Sequence, residues 1–191
     1  MLKNLYEQLY RLIYRPAKSW EVLAGEKENI KDNESFFKSY LYPVIGIVAL
    51  LAFIGVFFHQ RNFDIQLALK LTIRSTIALF AGFYMASYIL SEVMVRYFSK
   101  EKCLLKCQRF VGYSSALVYV IYMVLAFFPD SNFLLLFSLY SIYMIWEGAI
   151  IYMGISDEER SKFSMVAAAI ILLSPIVIER IMFLFMPGMR T

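Results

Sequence analysis

Ionisable side chains inside apolar stretches are the residues of this sequence best suited to chemistry. Glu92 and Arg96 stand four residues apart, so on a helix they share one face and can pair. Glu147 lies in another apolar stretch at a similar estimated depth. A carboxylate that faces lipid is energetically costly unless it takes up a proton. We therefore predict that Glu147 faces other helices and forms a polar cluster with Glu92 and Arg96.

This cluster has two interpretations, which the residues leave open. In one, Arg96 reaches the headgroups and Glu147 hydrogen-bonds to a neighbouring helix, as polar residues between membrane helices often do. In the other, the carboxylates form a proton or substrate route, as in a small transporter or permease subunit. Glu179 and Arg180 form a second predicted pair, in the outer half of the last apolar stretch.

The sequence lacks the residue sets that most intramembrane enzymes need. Its single histidine, His59, has no second histidine as a partner. Cys103 and Cys107 are too few for a structural zinc site, which needs four ligands. We expect free thiols in a reducing cytoplasm, with palmitoylation as the alternative in a eukaryotic host. We predict no catalytic residue, metal or cofactor, and an intramembrane enzyme ranks below the other two function classes.

Five apolar stretches of about 20 residues must position these side chains, since that length of helix spans the hydrocarbon core. The chain of 191 residues is 60% hydrophobic with a mean hydropathy of +0.61, which excludes a soluble domain. The predicted fold is all-α: residues 1–40 form a cytoplasmic segment, and residues 41–191 form a bundle of five transmembrane helices. The predicted spans are 41–58, 75–98, 110–128, 133–155 and 163–186.

The positions of Lys and Arg predict the orientation of the bundle. Thirteen lie before the first span or in the loops after the second and fourth spans, and four lie on the opposite side. Loops rich in these residues stay in the cytoplasm, so we expect a cytoplasmic N-terminus and an outer C-terminus. The cations are spread over three loops without a dense run, which argues against nucleic acid as a partner.

The first forty residues predict an interfacial helix followed by a linker. Six apolar residues recur at helical spacing, which indicates an amphipathic helix lying on the membrane. Pro16 ends this helix, Trp20 is expected in the headgroup zone, and Glu26 to Glu34 form a polar linker. The segment either anchors the N-terminus or binds a partner or senses curvature. The apolar positions are Leu2, Leu5, Tyr6, Leu9, Leu12 and Ile13.

Several short motifs recur in order along the chain, at Arg15, Pro16, Trp20, Tyr40, Pro43, Gly112, Tyr113 and Gly148. Together they resemble the Yip family of membrane proteins. The resemblance is strongest to its small bacterial members and covers nearly the whole chain. It implies five transmembrane helices, a cytoplasmic N-terminus, a place in the inner membrane and no catalytic residues. Leu117 and Val118 stand where the family often has a proline, so the sequence offers no proline to break the third span.

The family resemblance also bears on function. Eukaryotic members interact with Rab GTPases in vesicle traffic, but their long cytosolic domain has no counterpart in these first forty residues. No Rab GTPase is expected as a partner of a bacterial member. The leading hypothesis is a non-enzymatic multi-pass protein that organises or shapes the membrane through lipid contacts and through a protein partner or a second copy. A small transporter is the alternative.

Overall fold

The computed structural model describes residues 2–25, 34–59, 64–129 and 131–185, and within them every regular element is helical. Most of the predicted linker from Glu26 to Glu34 lies outside these residues. The helices are α1 (Leu2–Tyr14), α2 (Pro16–Gly25), α3 (Glu34–Phe36), α4 (Tyr42–His59), α5 (Ile65–Phe98), α6 (Leu104–Ser114), α7 (Ala116–Leu125), α8 (Tyr140–Ile151) and α9 (Asp157–Phe185). A π-helical turn (Phe37–Leu41) joins α3 to α4, and a 3₁₀ helix (Asn132–Leu139) leads into α8.

Four of the helical segments described are long and apolar enough to cross a bilayer. They are Glu34–Phe58, Ile65–Phe98, Phe133–Ile151 and Asp157–Phe185. Each covers most or all of one predicted span. The remaining predicted span, 110–128, is divided between α6 and α7, and α7 alone is too short to cross. The count of five crossings therefore stays a prediction.

The division between α6 and α7 falls at Ser115, although no proline lies there. The backbone of Ser115 has φ −83° and ψ 3°, outside the helical range. Its hydroxyl donates to the carbonyl oxygen of Val111 at 2.8 Å, and its amide donates to the same oxygen at 3.0 Å. A serine that bonds back to the preceding turn bends a helix. Sequence analysis considered only proline and missed this interruption.

Helices α5 and α9 pack closely against each other at the centre of the bundle. A Cβ atom on Gly82 would lie 2.9 Å from the Cα and N atoms of Pro175, so a glycine is needed at this contact. Helix α9 continues through Pro175 to Phe185. Small residues permit such close approach between membrane helices.

The N-terminal helices are packed into the bundle. Leu5, Leu9 and Leu12 on one face of α1 are buried, and Trp20 of α2 is completely buried. Trp20 therefore packs against protein, and its depth in the headgroup zone stays a prediction. A large aromatic ring gains more contacts in a close-packed core than at an interface, provided that its N–H finds a partner. The interfacial placement of α1 itself stays a prediction.

Candidate functional site

Glu147 and Arg160 form an ion pair between α8 and α9. Their side chains lie 3.6 Å apart, from Oε2 to a terminal guanidinium nitrogen, and both are about four-fifths buried. The Nε of Arg160 also donates to the carbonyl oxygen of Trp146 at 3.0 Å, and its guanidinium lies 4.5 Å from the centre of the indole. Glu147 thus faces the bundle as predicted, and it joins the two helices across the loop between them.

Glu92 pairs with Lys102, which follows the end of α5. The ammonium group of Lys102 lies 5.6 Å from the ring centre of Tyr88. The hydrogen bond to Glu92 raises the pKa of Lys102. Among the described residues, no ion pair joins Glu92, Arg96 and Glu147. Each carboxylate pairs instead with a cation that was not predicted. Lys102 lies in the loop after α5 and Arg160 in the first turn of α9, so neither cation is on the same helix as its carboxylate, and helical spacing gives no guide.

Glu179 of α9 pairs with Arg74 of α5. The Nε of Arg74 lies 3.2 Å from the carboxylate, and the hydroxyl of Tyr122 donates to the other carboxylate oxygen at 3.4 Å. Arg180, the predicted partner, is exposed, and no ion pair joins it to Glu179 among the described residues. Adjacent helical residues project about 100° apart and do not face each other. The partner on α5 could not be found from the sequence because it is more than a hundred residues away.

The Arg74–Glu179 ion pair borders a cavity of about 380 Å³ between α4, α5, α7 and α9. Most of its lining is aliphatic, with the polar groups concentrated in Arg74, Ser75, Tyr122 and Glu179. Glu147 is not among its lining residues. The apolar part of the lining is Val48, Ala52, Gly55, Val56, Leu67, Leu71, Leu125, Ala126, Pro129 and Leu135.

Trp20 occupies a closely fitted socket at the opposite end of the bundle. Its Nε1 donates to the carbonyl oxygen of Met144 at 2.8 Å, and its ring centre lies 5.2 Å from those of Phe110 and Tyr152. A Cβ atom on Gly148 would lie 2.6 Å from the indole, so only glycine leaves room for the ring. The motif residues Trp20 and Gly148 therefore have a packing role: the tryptophan fills the socket, and the glycine leaves room for its ring.

Three other motif positions, Tyr40, Gly112 and Tyr113, belong to a second aromatic cluster next to this socket. The hydroxyl of Tyr40 donates to the carbonyl oxygen of Gly112 at 3.4 Å, and the ring centres of Tyr40 and Tyr113 are 4.8 Å apart. A Cβ atom on Gly112 would lie 2.4 Å from the Phe36 ring. All of these contacts join the start of the α3–α4 segment to α6. The motifs therefore position helices and carry no reactive group.

Three further motif residues lie at or near helix boundaries. Arg15 separates α1 from α2, and Pro16 is the first residue of α2, where its fixed φ is favourable. Pro43 is the second residue of α4 and directly follows the π-helical turn, inside the continuous helical segment Glu34–Phe58.

The two cysteines of α6 and its N-cap have different environments. Cys103 is exposed, whereas Cys107 is buried. No disulfide joins them. Within the described part of the chain, no three His, Cys, Asp or Glu side chains lie close enough to hold a metal ion.

These features define a class: a multi-pass α-helical membrane protein whose N-terminal helices are fixed to the bundle by buried aromatic residues. The family model of the Yip1 domain matches residues 10–178. The chain therefore belongs to the Yip1 family, and the family predicted from its motifs is confirmed. No curated protein and no solved structure shows significant similarity to the chain.

Proposed function

We propose that this Yip1-family protein is non-enzymatic and organises or shapes the inner membrane by holding α1 against its surface. The observation that carries the proposal is the division of α1 into two faces. Leu5, Leu9 and Leu12 are turned into the bundle. The opposite face of α1 is exposed at the surface of the molecule.

That opposite face carries a row of tyrosines. Tyr6, Tyr10 and Tyr14 are 68%, 49% and 68% exposed, and their successive ring centres are 6.3 and 4.4 Å apart. Arg11 lies among them, exposed and 3.9 Å from Glu7. Tyrosine is enriched where membrane and water meet, and basic side chains are attracted to anionic lipid. These preferences support contact between the tyrosine face and the headgroup layer.

The attachment of α2 makes α1 a fixed part of the molecule. Trp20 follows Tyr14 by only six residues, and its ring is held between Phe110 and Tyr152. The hydroxyl of Tyr140 also donates to the carbonyl oxygen of Ile13 at 2.9 Å. An interfacial helix that is held rigidly beside a bundle displaces headgroups at a fixed place, which favours curvature or a local lipid arrangement.

The proposed topology has five crossings. Helices α6 and α7 together cover 22 residues from Leu104 to Leu125, about 33 Å of helix, which is enough for the hydrocarbon core. With the N-terminus in the cytoplasm, the C-terminus then lies outside, as the distribution of Lys and Arg favours. We propose residues 1–40 as the cytoplasmic segment and 41–191 as the membrane domain.

The proposed partners are the lipid bilayer and either a protein or a second copy of this chain. Neither nucleic acid nor, in a bacterial host, a Rab GTPase is proposed. The transporter alternative finds less support, because Glu147 is paired with Arg160 and lies away from the cavity described above.

Reconstitution of the full chain into vesicles tests the organising role. Serine at Tyr6, Tyr10 and Tyr14 should reduce any change in vesicle diameter or shape that the wild type produces, as measured by electron cryomicroscopy. Tyr97→Ser is the matched control, because this tyrosine is 63% exposed but lies at the end of α5. Wild-type vesicles indistinguishable from empty ones would contradict the proposal, as would equal effects of the triple variant and the wild type.

A further inference from the structure

We propose that the outer cavity bordered by Arg74 and Glu179 binds a zwitterionic phospholipid with a primary ammonium group, such as phosphatidylethanolamine. This inference depends on the membrane location of the chain and does not require the organising role of α1. Its basis is a cavity that has aliphatic walls and one polar corner with both signs of charge.

The position of the polar corner suits a lipid headgroup. Arg74 lies nine residues after Ile65 at the start of α5, about 13 Å along the helix. Glu179 lies six residues before Phe185, the last described residue of α9, which is about 9 Å. Both charges are therefore near the same end of the bundle. Helix α5 has 34 residues, about 51 Å, so it is longer than the hydrocarbon core of about 30 Å, and its first turns extend beyond that core. Arg74 directly precedes the predicted span 75–98, which puts it near the border of the core, where headgroups and acyl chains meet.

Both members of this ion pair are partly exposed, so a ligand in the cavity can contact them while they remain paired. The side chains of Arg74 and Glu179 keep 29% and 31% of their exposure, and both line the cavity. A guanidinium binds phosphate oxygens, whereas a carboxylate accepts hydrogen bonds from an ammonium group. The hydroxyl of Tyr122 adds one further polar group. A zwitterion satisfies both charges at once, whereas an anionic headgroup would leave Glu179 facing like charge.

The walls of the cavity suit the apolar part of the same molecule. Small side chains on α4 and α7, among them Ala52, Gly55 and Ala126, leave the space open. A Cβ atom on Gly55 would lie 1.9 Å from the carbonyl oxygen of Ala126, so the two helices meet closely at this wall. The volume of about 380 Å³ is within the range of small-ligand pockets, roughly 300–1,000 Å³. It accommodates a headgroup region with the first part of an acyl chain.

Native mass spectrometry of the full chain in detergent tests the proposal with three lipids of matched acyl chains. Phosphatidylethanolamine should bind about tenfold more tightly than phosphatidylcholine, whose methylated ammonium has no N–H to donate to Glu179. It should also bind more tightly than phosphatidylglycerol, which is anionic. Glycerophosphoethanolamine, which lacks acyl chains, should not compete at equal concentration. Equal binding of the three lipids, or competition by the deacylated headgroup, would overturn the proposal.

Variants assign the preference to this corner. Glu179→Gln should abolish the preference for phosphatidylethanolamine over phosphatidylcholine, and Arg74→Gln should weaken both. Arg180→Gln is the matched control, since this arginine is exposed and does not line the cavity. Retention of the wild-type preference in the Glu179 and Arg74 variants would place the lipid elsewhere and overturn the proposal. If either variant fails to fold, the lipid comparison on the wild type still decides the question.

Discussion

A single methyl group at Gly148 should loosen the N-terminal helices from the bundle. In Gly148→Ala, the new Cβ atom would lie 2.6 Å from one carbon of the Trp20 indole and 2.8 Å from one carbon of the Phe110 ring. Favourable contacts between carbon atoms begin near 3.5 Å, so the distances from the methyl group to the two rings are both almost 1 Å too short. Neither ring can avoid it by a change of rotamer within the packed socket.

The expected magnitude follows from two opposing effects. Overpacking of a close-packed core destabilises by about 1–3 kcal/mol, and contact with two rigid rings favours the upper end. The higher helix propensity of alanine relative to glycine stabilises the folded state by about 1 kcal/mol and offsets part of this loss. The net loss of stability should therefore be about 2 kcal/mol. Part of it comes from the hydrogen bond between Trp20 and Met144, which becomes strained when the ring moves.

Tryptophan fluorescence provides the assay, because the chain has only two tryptophans. In a Trp146→Phe background, Trp20 is the sole reporter, and Gly148→Ala should make it more accessible to acrylamide and lower the unfolding midpoint in detergent. Gly46→Ala is the matched control, since a Cβ atom there meets nothing within 4 Å, and we expect unchanged quenching with equal or higher stability. Equal quenching and stability in Gly148→Ala and wild type would refute the packing argument.

Three further predictions concern separate contacts. Gly82→Ala should destabilise by about 1–3 kcal/mol in thermal unfolding, because the added methyl group meets the backbone of α9; an unchanged midpoint would contradict the close contact. Glu147→Gln and Arg160→Gln should each destabilise, and the double variant should lose less than their sum in a double-mutant cycle, whereas strict additivity would exclude the pair. A maleimide at pH 8 should label Cys103 rapidly and Cys107 slowly, because Cys103 is exposed, whereas Cys107 is buried; equal labelling rates would contradict the burial of Cys107.

The apolar stretches and motifs were sufficient to predict a helical membrane protein of the Yip type, because length and hydropathy strongly restrict what can cross a bilayer. The burial of Glu147 was also predictable from the cost of a charge in lipid. Its partner was not, since Arg160 lies beyond the end of α8, where helical periodicity no longer applies.

The socket of Trp20 and the corner of Arg74 and Glu179 depend on tertiary packing. Trp20 lies 124 residues before the carbonyl group that accepts its hydrogen bond, and Arg74 lies 105 residues before Glu179. Local composition predicts an interfacial depth for a tryptophan in a basic segment, but the rings that surround Trp20 come from distant parts of the chain. The interruption at Ser115 was similarly unpredictable, because serine bends a helix only when its hydroxyl bonds back to the backbone.

The central claim is that the bundle holds the tyrosine face of α1 against the membrane. A photo-crosslinking amino acid in place of Tyr10, in the full chain and in its native membrane, tests this contact directly. Mass spectrometry should find phospholipid adducts at position 10 and adducts within the chain at the buried position of Leu9. Lipid adducts at position 10 no more frequent than at position 9 would contradict the claim.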